Sequence, residues 1–243
     1  MIKTRLVLAA AVVLLSAAPP GWAAESSAKQ ANFVNLKALD LATLLPPPPA
    51  VDSAQTKAEL AEIHGFEKSR TVDREKIAQD DQTETVFEVV RGDLGPDFTE
   101  AKLPVTAAFF AKLLADEDLV VDPAKTVWAR PRPAAADPSV KLCVKGSTSG
   151  SYPSGHSTVA HLAAIVLSDM LPEKRGLLFA DAARFAESRV VCGVHYRSDI
   201  EASKTVAALI AQQIRTNPVF QKEFAAAKVE LLHAIPAKTA KAP

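Results

Sequence analysis

The sequence predicts an all-α protein: a single-domain helical bundle with its chemistry at helix ends and loops. Three observations predict it. Beyond residue 50, apolar residues recur at helical spacing almost throughout. Alanine is abundant, and strand signals are few. After removal of an N-terminal targeting segment about 220 residues remain, which suits one domain with a sizeable core. No internal repeat and no second domain is visible.

Residues 1–24 read as a signal peptide. Lys3 and Arg5 form a positive start, residues 6–18 are apolar, and Ala23 and Ala24 are candidate cleavage points. The apolar run falls short of the roughly 20 residues of a membrane span; an uncleaved anchor is the alternative. Residues 25–45 are polar and mixed and read as a flexible arm. Pro46, Pro47, Pro48 and Pro49 suggest polyproline II, either a stiff linker or a segment laid along the domain surface. The helical domain is placed at residues 46–233 and a flexible tail at 234–243.

Within the domain, residues 57–63, 83–90 and 105–114 are short amphipathic candidates. Pro131, Pro133 and Pro138 force a loop. From Ser157 the positions Val159, Leu162, Ala163, Val166, Leu167 and Met170 follow a helical period. Another helix covers residues 180–192 and ends at Gly193. Ser198-Asp199-Ile200-Glu201 has the pattern of a capping box. Ile200, Ser203, Ala207, Ile210 and Ile214 then define one buried face.

Charge and cysteine usage exclude several classes. Taking Lys3 and Arg5 from the 28 basic residues leaves 26 against 28 acidic ones. That balance suggests neither a nucleic-acid partner nor an anionic membrane. The chain after residue 24 has no long apolar stretch, so no stable membrane insertion is expected. Cys143 and Cys192 are the only cysteines. In an exported protein an even count favours one disulfide, with two buried thiols as the alternative. No metal-ligand spacing occurs, and no cofactor is expected.

The chemistry lies in three segments. Residues 188–199 hold Arg189, His195 and Asp199. Upstream stand Lys125 and Arg132-Pro133, and between them Pro153-Ser154-Gly155-His156. Pro-Ser-Gly-His precedes a helix, and a helix start offers free N–H groups and a positive dipole end to an anion. Glycine admits close approach of an oxygen. Pro133 holds Arg132 extended, and an arginine fork matches phosphate oxygens. Arg130 competes for that role and ranks second. His195 and Asp199 lie four apart across a turn, so the carboxylate can hold one ring nitrogen and leave the other as nucleophile. His161 is assigned to the polar flank of its helix, and His64 and His233 have no supporting neighbours. Each fragment alone has a bland reading as a turn, a solvated charge or a structural ion pair.

Together, Lys-x6-Arg-Pro, Pro-Ser-Gly-His and Ser-Arg-x5-His-x3-Asp resemble the signature shared by type 2 phosphatidic acid phosphatases, bacterial class A non-specific acid phosphatases and vanadium haloperoxidases. The class A acid phosphatases are the nearest match. The resemblance to them extends to Leu45-Pro46-Pro47-Pro48-Pro49-Ala50, to Gly150-Ser151-Tyr152 and to Thr216-Asn217-Pro218-x-Phe220-Gln221, and covers roughly residues 45–232.

It implies His195 as nucleophile forming a phosphohistidine, Asp199 orienting it, and His156 protonating the leaving oxygen. Lys125, Arg132, Ser154, Gly155 and Arg189 would hold the phosphoryl oxygens without metal. The implied protein is a periplasmic or secreted acid phosphatase acting on small phosphate monoesters. Phosphotransferase activity and a homo-oligomer stay open. The alternatives are a lipid-phosphate phosphatase, a vanadium-dependent haloperoxidase and, less favoured, a non-catalytic anion-binding protein. Ala134 stands where the family carries an aromatic residue, Arg197 where it carries a neutral polar one, and residues 62–104 match only loosely.

Overall fold

The computed structural model describes residues 30–235. Residues 1–29, which include the predicted signal peptide, and residues 236–243, in the predicted tail, lie outside them. Every regular element among the described residues is a helix. The order is α1 (Leu41–Leu44), α2 (Ala54–Ser69), α3 (Val72–Asp80), α4 (Val86–Val89), α5 (Pro104–Trp128), α6 (Pro133–Ala136), α7 (Gly155–Met170), α8 (Arg175–Val191), α9 (Arg197–Ile214) and α10 (Pro218–Ala234).

Helix α7 is the centre of the bundle. Helices α8 and α9 pack on it most extensively and α5 and α4 adjoin it, and its Val159, Ala160, Leu162, Ala163, Ala164, Val166, Leu167 and Met170 are all buried in the main core. It is buried on nearly all sides, as befits a helix whose polar residues are mostly Ser, Thr and His. His161 is therefore not on a polar flank. It is buried, its Nδ1 donates to Ser157 O at 2.7 Å, and burial lowers its pKa.

Three further expectations are corrected. Helix α5 does not end near residue 114 but runs to Trp128 through Pro123, and so carries Lys125 in its last turn. Residues 30–45 are not a flexible arm. Phe33 packs on Phe109 and Phe220, Leu39, Leu41 and Leu45 are buried, and the N–H groups of Asn32, Phe33 and Val34 all donate to the buried Asp116 carboxylate. The polar look of that stretch hides five buried apolar residues, Phe33, Val34, Leu39, Leu41 and Leu45, spaced by no regular period, the first of them held by the Asp116 carboxylate of α5. Finally, the first turn of α9 starts at Arg197. Its capping carboxylate is Asp199, which accepts from Tyr196 N at 2.9 Å, rather than Glu201.

The four prolines after Leu45 lie along the surface, with Pro46 O accepting from the Tyr152 hydroxyl. Beneath the functional loops a second core gathers Ile63, Val140, Ala186, Val190, Tyr196 and Ile200. Cys143 and Cys192 form a disulfide across a separation of 49 residues, tying the proline-rich loop to the end of α8. Gly193 follows at φ 69°, where a side chain would be strained and a Cβ would lie 2.7 Å from Val140. His64 does have neighbours: it bridges Glu67 at 2.9 Å and Asp137 at 3.0 Å, joining α2 to the proline-rich loop.

Candidate active site

Helix ends converge on one cavity of about 220 Å³. Lys125 comes from the last turn of α5, Arg132 from the following loop, Gly155 and His156 from the start of α7, Arg189 from the last turn of α8, and His195 from the turn into α9. Two predicted residues stand behind this wall. Ser154 caps α7, its hydroxyl accepting from Ser157 N, and is fully buried. Asp199 lies beneath His195.

His195 is almost wholly buried. Its Nδ1 is 2.9 Å from the Ser151 carbonyl and 3.3 Å from Asp199 Oδ2. A carbonyl can only accept, so Nδ1 carries the hydrogen and Nε2 presents its lone pair. Arg132 Nη1 stands 3.1 Å from that Nε2. Burial lowers the His195 pKa to about 4; the Asp199 hydrogen bond opposes this and the Arg132 charge adds to it. The imidazole is therefore neutral across mildly acidic solution.

Asp199 is shared. Arg130 Nη1 donates to its Oδ1 at 2.6 Å, and Ser151 Oγ and Tyr196 N donate to its Oδ2 at 2.5 and 2.9 Å. Arg130 is itself buried, paired with Glu59 and stacked 3.9 Å over Tyr196. It therefore does not compete with Arg132 for a ligand; it anchors the carboxylate behind the histidine. Gly150 makes this possible. A Cβ there would collide with the Lys125 carbonyl, so only glycine lets Ser151 sit against the end of α5.

The cations differ in their ties. Arg132 is braced by the carbonyls of Ser149 and Val194. Lys125 Nζ donates to Asp122 at 3.0 Å and stands 3.5 Å from where a Cβ on Gly155 would be. Arg189 donates from Nη2 to Ala78 O at 2.6 Å, while its buried Nε has no acceptor among the described residues. Burial lowers its pKa to about 10, leaving it a cation.

Across the cavity His156 stacks over Phe185, with centroids 6.0 Å apart. Its Nδ1 contacts Glu84, and its Nε2 is 3.3 Å from Gln82 O. Sequence reasoning missed Glu84, Asp118, Lys145 and the serines Ser147 and Ser149, which also line the cavity. Glu84 lies in the stretch that matched the family only loosely, so no motif pointed to it. Among the described residues no group of three or more His, Cys, Asp or Glu is arranged to hold a metal ion.

A cavity at the ends of a helical bundle, lined by two histidines among several cations, suits an anion. The chain belongs to the PAP2 superfamily, whose family model matches residues 104–220. It is an acid phosphatase homologue over most of its length. It is 32% identical over 225 residues to the non-specific acid phosphatase of Providencia stuartii, covering 89% of this chain and 91% of that one. The non-specific acid phosphatase of Salmonella typhimurium is 43% identical over 82 residues, covering 34% and 33% of the two chains. The acid phosphatase of Zymomonas mobilis is 29% identical over 142 residues, covering 56% and 53%. The fold also aligns with the transmembrane PAP2 type phosphatidylglycerolphosphate phosphatase of Bacillus subtilis, at 18% identity and a TM-score of 0.49, covering 68% of this chain and 87% of that one. No helix among the described residues is long and apolar enough to cross a membrane.

Proposed function

We propose that the protein is an exported, metal-independent acid phosphatase that hydrolyses small phosphate monoesters through a phosphohistidine. One observation carries this reading: the Ser151 carbonyl holds the Nδ1 hydrogen of a neutral His195, so the Nε2 lone pair faces a cavity lined by Arg132, Arg189 and Lys125. A phosphoryl group in that cavity would meet the cations with its peripheral oxygens, including the acceptor-free Nε of Arg189.

The first step forms the bond from His195 Nε2 to phosphorus and breaks the bond from phosphorus to the leaving oxygen, which takes a proton from His156. The N-terminus of α7 at Ser154 and Gly155 adds its dipole to the cage. In the second step water attacks phosphorus, gives its proton to His156, and returns His195 with inorganic phosphate. Asp199, held by Arg130 and Ser151, stabilises the charge that appears on His195 as the new bond forms.

The test is release of phosphate from an aryl phosphate near pH 5, with chelator and then with orthovanadate. Turnover that survives chelator and is inhibited by vanadate is expected. Turnover lost to chelator and restored by a divalent ion would overturn the reading. The disulfide and the N-terminal segment support export, and mass analysis of the secreted protein for cleavage after Ala23 or Ala24 checks that part.

A further inference from the structure

We propose that Glu84 is the positioning residue for the proton donor, holding His156 through Nδ1 so that Nε2 is presented to the leaving oxygen. The inference rests on the phosphatase reading and adds to it a second histidine–carboxylate pair.

The placement is specific. Glu84 directly precedes the capping residue Thr85 of α4, whose Val86 and Val89 are buried in the core. The loop that presents the carboxylate is thus pinned. His156 is the second residue of α7, and its ring face lies on Phe185 of α8. Face and edge are both held, which leaves the ring one orientation. The Gln82 carbonyl that Nε2 meets is the weaker partner at 3.3 Å and is the one a leaving oxygen can replace.

Electrostatics give the pair a purpose. The cavity contains Lys125 from α5, Arg132 and Lys145 from loops, and Arg189 from α8, with His195 on the far wall. That concentration of positive charge suits a phosphate and disfavours a charged donor. A carboxylate in contact with Nδ1 offsets it. Burial pushes the Glu84 pKa up, but the hydrogen bond and charge of His156, with Lys125 and Arg189, outweigh burial and hold it below the ordinary range. Glu84 is therefore ionised. Glu117 and Asp118 of α5 also face this region. Burial and then the charge of Glu84 raise the Glu117 pKa well above the usual range, which disfavours a second negative charge beside the phosphate.

The experiment compares Glu84→Gln, which keeps size and an acceptor but removes charge, with Glu84→Asp on an alkyl and a nitrophenyl phosphate. For Glu84→Gln, kcat on the alkyl ester should fall about 10- to 30-fold and on the nitrophenyl ester less than about 3-fold, because a general acid matters most for a basic leaving group. KM should not rise, since a negative charge has left the cavity. Glu84→Asp should recover part of kcat. In a His156→Ala background Glu84→Gln should have no further effect.

Equal losses on both esters, or an additive loss in the His156→Ala background, would overturn the proposal. A His156→Ala variant that is itself unselective would instead overturn the donor assignment beneath it. Ring-nitrogen NMR of labelled histidine provides a readout independent of turnover: Nδ1 of His156 should be a hydrogen-bonded N–H in wild type and lose that signature in Glu84→Ala. No change there would also overturn the proposal.

Discussion

Two imidazole–carboxylate pairs meet at one cavity, built from the same chemistry and set in different surroundings. In one, His195 and Asp199 have side-chain exposures of 4% and 0%; in the other, His156 and Glu84 have 25% and 36%. In the buried pair the carboxylate is already engaged by Arg130, Ser151 and Tyr196 N, so burial prevails and the ring is neutral. In the open pair the carboxylate is ionised and touches the ring directly. In the proposed mechanism, residue type therefore does not decide whether such a pair supplies a nucleophile or a donor. Desolvation, and the number of other donors on the carboxylate, do.

The comparison breaks most decisively at the nucleophile. His195→Ala should lower turnover by on the order of 10⁴-fold with the helical circular dichroism unchanged, and the acid-labile phosphoenzyme trapped by quenching should vanish. Near wild-type turnover would remove the buried pair from the mechanism. His156→Ala should cost about 10²- to 10³-fold on alkyl phosphates and far less on nitrophenyl phosphates. Equal losses would reduce the open pair to a binding role.

Arg130→Gln tests how the buried pair is held. Turnover should fall about 10-fold, to a similar extent on both ester classes, because in the proposed mechanism Arg130 acts on the attacking histidine through Asp199 rather than on the leaving group. A loss confined to alkyl esters would contradict the separation of the two sides.

The pH profile sharpens the same contrast. In the proposed mechanism His195 attacks only when neutral, and its folded value of about 4 puts the acid limb of kcat/KM near pH 4. An acid limb above pH 6 would contradict the buried-pair assignment. The same depression links to stability. The unfolded chain takes up this proton near pH 6.5 and the native state only near 4. The contribution of His195 to folding is thus complete above pH 6.5 and declines as pH falls toward 4. Denaturant melts across that window should show the decline.

The smallest effect on chemistry should come from the disulfide. Cys192 sits three residues before His195, but its loop-closing role acts on the unfolded chain. Replacing both cysteines by Ala should cost about 4 kcal/mol of stability, with kcat at a permissive temperature little changed. A large loss of kcat in a variant that remains folded would mean that the bridge shapes the nucleophile's turn directly.

Much of this was legible in the chain, for identifiable reasons. The helices α7 and α9 show in their apolar period, Gly193 marks its turn because only glycine tolerates that backbone, and the three motifs carry Lys125, Arg132, Gly155, His156, Arg189 and His195, which line the cavity. Other features were not legible. Asp116, Glu59 and Arg130 act by pairing buried charges far apart in sequence, and nothing in a one-dimensional pattern distinguishes such residues from solvated ones. The arm was misread because Phe33, Leu39, Leu41 and Leu45 lack a common period. Glu84 was missed because its neighbours in sequence are ordinary polar residues.

The sequence by itself determined the helical class and the pairing of Cys143 with Cys192, and its motifs named the histidines and cations that line one cavity, His156, His195, Lys125, Arg132 and Arg189. Local periodicity and short-range turn chemistry depend only on neighbouring residues, so they survive in a linear reading. Only the tertiary structure decided that Arg130 serves Asp199 rather than a ligand, that His195 is dry and neutral, and that Glu84 stands against His156. Burial and charge pairing are properties of a surrounding volume. That volume exists only after α2, α4, α5, α7, α8 and α9 have brought distant residues within a few ångströms of one another.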